Sequence, residues 1–172
     1  VAPAYILEKL NSMQTESFGT ALVVISGGEP FRQNIGPLAN VLIDAGYYVQ
    51  VETNGTLYCE TFPFDSDHTT IVCSPKTGTL NKRLIPHIDA LKYVVHADQI
   101  DPEDGLPLQA LAHSARPVTA KPPKDFVGEV YVQPVDVDDP AENLRHTDAA
   151  IRSCMKHGYT LCIQLHKILN LE

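Results

Sequence analysis

Hydrophobic and polar positions along the chain switch between two periods. Ala4 to Met13 places Ile6, Leu7, Leu10 and Met13 at helical spacing. Ala21 to Ser26 then reads "ALVVIS", a continuous apolar run that predicts a strand covered on both faces. The helical period returns over Pro37 to Ala45 through Leu38, Val41, Leu42 and Ala45, with Gly46 as its stop, before "YYVQVE" resumes a strand. That order of elements predicts a βαβ unit with parallel strands. Further strands are predicted over Thr70 to Ser74, Ala90 to His96, Glu129 to Gln133 and Tyr159 to Leu165. The best-marked helix begins at Asp139, with Pro140 in the first helical position and Glu142 three residues after the cap, and ends at His157 before Gly158. Its apolar stripe is predicted to be Leu144, Ile151, Cys154 and Met155. Between the strands, Asp98 to Asp125 holds five prolines and little periodicity, which reads as an insert within a single domain spanning residues 1–172.

Composition narrows the function classes. At 172 residues and 44% hydrophobic, the chain is long enough to bury a core. Its formal charge of -8, with no basic run, argues against a nucleic-acid partner. Neither a bilayer-length apolar stretch nor a signal pattern is present, so a cytoplasmic protein that does not engage a membrane is expected. The four cysteines, Cys59, Cys73, Cys154 and Cys162, form no C-x-x-C pair and read as reduced, mostly core thiols.

Ligands of parallel α/β folds sit at the carboxyl ends of the strands, where the loops converge. Five predicted strand ends read Ser26-Gly27-Gly28-Glu29-Pro30, Glu52-Thr53-Asn54-Gly55, Ser74-Pro75-Lys76, Gln133-Pro134-Val135-Asp136 and Gln164-Leu165-His166-Lys167. Each has a plain structural explanation as well: Asn54-Gly55 is a common turn pair, and prolines end strands. Together they suggest a rim that binds a polar, amino-acid-like or heterocyclic ligand.

The motif "SGGEP" resembles the glycine-rich segment by which radical S-adenosylmethionine (SAM) enzymes hold the methionine end of SAM. "VETNGT", "VCSPK", "LKYVV", "VYVQPVD" and the terminal "QLHKILNLE" follow in order, and the set is similar to one family, the 7-carboxy-7-deazaguanine synthases. The resemblance implies an α/β fold, a parallel-strand partial (β/α) barrel of radical SAM type truncated at its N-terminus. It implies a lyase that converts 6-carboxy-5,6,7,8-tetrahydropterin into 7-carboxy-7-deazaguanine with loss of ammonia, in queuosine biosynthesis, using SAM, a [4Fe–4S] cluster and Mg²⁺. It also implies a homodimer. By the same resemblance, SAM would be held by Gly27, Gly28 and Glu29, by Glu52, by Ser74, Pro75 and Lys76, and by Gln133, Pro134, Val135 and Asp136. Substrate would meet Ser26, His166 and the terminal Glu172. Physical chemistry agrees at the diglycine, where backbone groups can approach a ligand's ammonium and carboxylate directly. Glu52 also reads as a solvated turn-side charge, and His166 as a core or surface histidine; Lys92 carries no assignment.

One departure concerns the cluster. Radical SAM chemistry uses three closely spaced cysteines, usually C-x-x-x-C-x-x-C. Here thirteen residues separate Cys59 from Cys73 and seven separate Cys154 from Cys162, so no such loop can be drawn and no metal ligand or catalytic residue is assigned. In the family that loop lies upstream of a helix like Ala4 to Met13, beside the magnesium-ligating threonine. The expectation is a chain that lacks this N-terminal segment and is inactive without it. Two other readings stay open: a cluster-less SAM- or nucleoside-binding module, and an activating enzyme of a glycyl-radical protein.

Overall fold

The computed structural model describes residues 2–13, 22–111 and 118–169, which group into two compact units. The first unit comprises 1–73 and 80–89, the second 74–79 and 90–172. All strand pairings within each unit are parallel, as the βαβ reading requires.

In the first unit, β1 (Leu22–Ile25), β2 (Tyr48–Thr53) and β3 (Thr69–Cys73) lie side by side in chain order. Helix α1 (Pro3–Met13) contacts α2 (Gly36–Asp44), and α2 packs on β2. Strand residues alternate between faces. Val49, Val51, Ile71 and Cys73 are buried on one face, and Ala39 and Leu42 of α2 are buried as well. A cluster of Phe31, Phe62 and Phe64 joins this core, with ring centroids 4.9 to 5.6 Å apart. The other face is open at β1: Leu22 and Val24 are 45% and 46% exposed. Strand β1 is therefore covered on one face only, contrary to the expectation from its continuous apolar run. Residue 21, the predicted strand start, lies outside the described residues.

The second unit contains β4 (Ala90–Val95), β5 (Glu129–Pro134) and β6 (Thr160–Leu161), again adjacent in chain order. Helix α3 (Pro140–His157) packs on β5, β6 and β4. Its ends match the sequence reading. Asp139 accepts from the amides of Ala141 and Glu142, and Gly158 caps the C-terminus in the left-handed conformation. Its buried face does not match. His146, Ala149, Ala150, Ser153 and Cys154 are buried, whereas Leu144 and Met155 are 73% and 83% exposed and Ile151 is also exposed. Of the predicted stripe only Cys154 faces inward. Small residues at positions 149, 150 and 153 let the helix backbone sit close to the strands, which large side chains at those positions would prevent.

The segment predicted as an insert supplies a cover for this unit. Leu106, Ala110, Thr119 and Ala120 are buried. Tyr93 Oη donates to the Ala120 carbonyl (2.8 Å), Ser153 Oγ to the Gly105 carbonyl (2.6 Å) and Tyr159 Oη to the Asp104 carbonyl (2.8 Å). These bonds tie the segment to β4, to α3 and to the turn after α3. The strand predicted over Tyr159 to Leu165 shrinks to two residues and is followed by the short helix α4 (Leu165–Ile168). Among the described residues, no helix is long and apolar enough to cross a membrane.

Candidate functional site

The first unit presents the ends of β1 and β2. After Ile25 the chain passes through Ser26, Gly27 and Gly28, all exposed, and returns to the protein at Glu29. Gly27 has φ of +131°, a conformation that side chains with a Cβ rarely adopt, and a Cβ on either glycine would meet nothing within 4 Å. Among the described residues neither glycine makes a backbone–backbone loop hydrogen bond. Because Ile25 pairs with Val51, alternation puts Ser26 and Glu52 on the face shared by Val24 and Gln50. Glu52 is half-buried there.

Glu29 differs from its neighbours. It is only 8% exposed, and both carboxylate oxygens accept hydrogen bonds. Oε1 accepts from Thr53 Oγ1 (2.8 Å) and from the Phe31 amide (3.1 Å), and Oε2 accepts from the Asn54 amide (2.8 Å). Every donor is neutral, and no cation pairs with this carboxylate among the described residues.

The second unit presents Ser74, Pro75 and Lys76 and the ends of β4, β5 and β6. Pro75 is buried, while Ser74 and Lys76 are half-buried. Gln133, Pro134 and Val135 are half-buried, and the Val135 amide donates to the Val95 carbonyl (2.9 Å), extending the pairing past the strand. Asp136 accepts from Asn143 Nδ2 (2.7 Å) and forms an ion pair with Lys167 of α4. The Lys167 ammonium and then the Asn143 amide hold its carboxyl below the usual carboxylate range. His166, next to that lysine, is exposed. Glu172 lies outside the described residues.

The sequence reading passed over the end of β4, although Val95-His96-Ala97-Asp98 closes a strand with the same polar character as the others. His96 and His146 meet there, with ring centroids 4.2 Å apart. His146 Nδ1 accepts from the Ala97 amide (3.2 Å), which leaves any proton of the neutral ring on Nε2. Burial, followed by the neighbouring His96, pushes His146 below its ordinary value. Arg145 donates to Asp98 and holds that carboxyl low.

The thiols do not fit an iron–sulfur cluster. Cys59, Cys73 and Cys154 are buried and Cys162 is half-buried, and none is in a disulfide. Among the described residues no three His, Cys, Asp or Glu side chains converge to hold a metal ion. Burial raises the Cys59 thiol, but hydrogen bonds with Thr61 and with the backbone at Gly36 and Ile35 outweigh it and leave that thiol below its ordinary value.

No family model matches the chain. A 7-carboxy-7-deazaguanine synthase of Rhodospirillum rubrum is 46% identical over 155 residues, covering 87% of this chain and 65% of the relative. Over these residues the chain belongs to the 7-carboxy-7-deazaguanine synthase family. The synthase of Rickettsia prowazekii is 34% identical over 168 residues, covering 95% of this chain and 64% of the relative. The chain thus spans just under two thirds of the length of these synthases. The crystal structure of QueE from Escherichia coli shares its fold, with a TM-score of 0.64 at 21% identity over 95% of this chain and 64% of that one. The α/β class expected from the sequence is the class of that structure.

Proposed function

We propose that this chain is the SAM- and substrate-holding part of a radical SAM 7-carboxy-7-deazaguanine synthase, acting on 6-carboxy-5,6,7,8-tetrahydropterin with loss of ammonia. The observation that carries the proposal is the 46% identity to a synthase of that name over most of the chain. The open diglycine supports it. Gly27 and Gly28 are exposed and form no backbone–backbone hydrogen bond among the described residues, beside a buried carboxylate that no described cation pairs with, a setting suited to the charged amino-acid end of SAM. In this reading Ser74, Pro75 and Lys76 and the backbone from Gln133 to Asp136 are SAM-contacting segments, and His166 is the contact for the pterin carboxylate. SAM, when bound in such an enzyme, is the source of the radical that starts the reaction.

The ligands of the cluster and of Mg²⁺ are proposed to lie in the part of the synthases' length that this chain does not span. Two measurements test the reading. Calorimetry at millimolar SAM should show weak binding to the chain, and no heat of binding would count against it. Anaerobic reconstitution with iron, sulfide and a strong reductant should leave the same chain colourless and without 5′-deoxyadenosine, because no set of close thiolates is present. Adding a segment that bears C-x-x-x-C-x-x-C should restore both. A second reading, a SAM-binding module without catalysis, is favoured by the dispersed thiols and would be supported if binding persists while the extended protein still forms no product.

A further inference from the structure

The turn at Ser26 to Gly28 is exposed, and its glycines form no backbone–backbone hydrogen bond among the described residues, yet any ligand that uses their peptide groups needs those groups held in one orientation. Two anchors hold the turn among the described residues. On one side Ile25 is paired with Val51 in the sheet. On the other, Glu29 follows Gly28 directly, with an extended backbone (φ -152°, ψ 106°), and its side chain is bound to the end of β2. Thr53 is central to that second anchor. It is 3% exposed, its Oγ1 donates to Glu29 Oε1 at 2.8 Å, and the same oxygen accepts from the Gly55 amide at 3.1 Å. A hydroxyl has one proton to give, and the amide of Gly55 already occupies an acceptor site, so the proton is directed at Glu29. Asn54 adds a second bond from its own amide to Oε2, and the Phe31 amide adds a third to Oε1.

We infer that Thr53 is a positioning residue for the diglycine turn, acting through Glu29, whose carboxylate is a clamp between the ends of β1 and β2. The function of the turn as a SAM contact rests on the reading above, whereas the clamp itself does not. Its geometry also changes the role expected for Glu29. With three donors on two oxygens inside the protein, this carboxylate orients the glycines and contributes its charge to the site from behind them.

The test uses the whole chain and compares Thr53→Val, which keeps the shape and removes the hydroxyl, with Thr53→Ser, which keeps the hydroxyl. Amide chemical shifts and hydrogen exchange at Gly27, Gly28, Phe31 and Gly55 report the turn without any ligand. The valine variant should move those resonances and speed exchange at Phe31 and Gly55, and the serine variant should resemble the parent. SAM affinity should fall on the order of tenfold in the valine variant, the effect of losing one hydrogen bond to a charged group, and return with serine. Unchanged glycine shifts in a folded Thr53→Val chain would overturn the inference. Should that variant fail to fold, Glu29→Gln carries the same readout: its amide nitrogen must face one of the three donors, so unchanged glycine resonances there would overturn it equally. If the parent chain does not bind SAM at all, the functional reading fails, and the ligand-free shifts still decide the clamp.

Discussion

His166 is exposed on a single helical turn whose next residue, Lys167, is engaged with Asp136. The ion pair ties α4 to the end of β5, so the imidazole is carried on an anchored segment. If it donates to the pterin carboxylate as proposed, His166→Ala should weaken substrate binding and leave SAM binding nearly unchanged. The loss of a hydrogen bond to a charged group costs roughly 1.5–3 kcal/mol, on the order of ten- to a hundredfold in affinity. Titration of both ligands into the intact enzyme checks this, and equal losses would make His166 structural. At this scale sequence reading found most strand-end residues, because Gly, Pro and Asn punctuate strands visibly. It did not separate the exposed glycines from Glu29, because a clamp is recognisable only when its partner 24 positions away is known.

Helix α3 is where element and pattern diverge. Its boundaries were legible, since capping is local chemistry: Asp139 before Pro140 and Gly158 after His157. Its buried face was not, because Leu144, Ile151 and Met155 form a more conspicuous stripe than Ala149, Ala150 and Ser153. Close approach to the strands selected the small residues. Ala150→Leu should therefore destabilise the chain by about 1–3 kcal/mol through overpacking. Leu144→Gln, which looks more severe on paper, should stay within about 0.5 kcal/mol. Urea unfolding of the two variants compares them, and the reverse order would mean that α3 is rotated. A related limit applies to Tyr159 to Leu165. Leu161, Ile163 and Leu165 alternate as a strand would, but all three are exposed, so burial does not extend the ladder beyond Thr160 and Leu161.

On the scale of the whole molecule, acid sensitivity follows from His146. Burial first, then His96, holds its folded-state value below the ordinary one, while Glu142 and Asp98 act in the opposite direction. The unfolded chain therefore binds the proton first as pH falls. Stability should be fully present above the ordinary histidine value of about 6.5 and decline below it until the depressed folded value is reached. Asp98 and Asp136, both held low, add a loss of the same sign at more acidic pH. Unfolding free energies measured at pH 7.5 and 5.5 should differ in this direction, and His146→Gln should shrink the difference; an unchanged difference would assign the effect elsewhere.

The distribution of thiols gives the molecule a labelling site without any engineering. Cys59, Cys73 and Cys154 are buried, and only Cys162 is partly open, with its Sγ donating to Gln133 Oε1 at 3.8 Å. A maleimide should add rapidly to one sulfur in the native chain and to four in denaturant. The rate of that first addition then becomes an optical gauge of occupancy at the end of β5. An adenosine compound resting against Gln133 should slow it, and a dye carried on Cys162 would report the same event in single molecules.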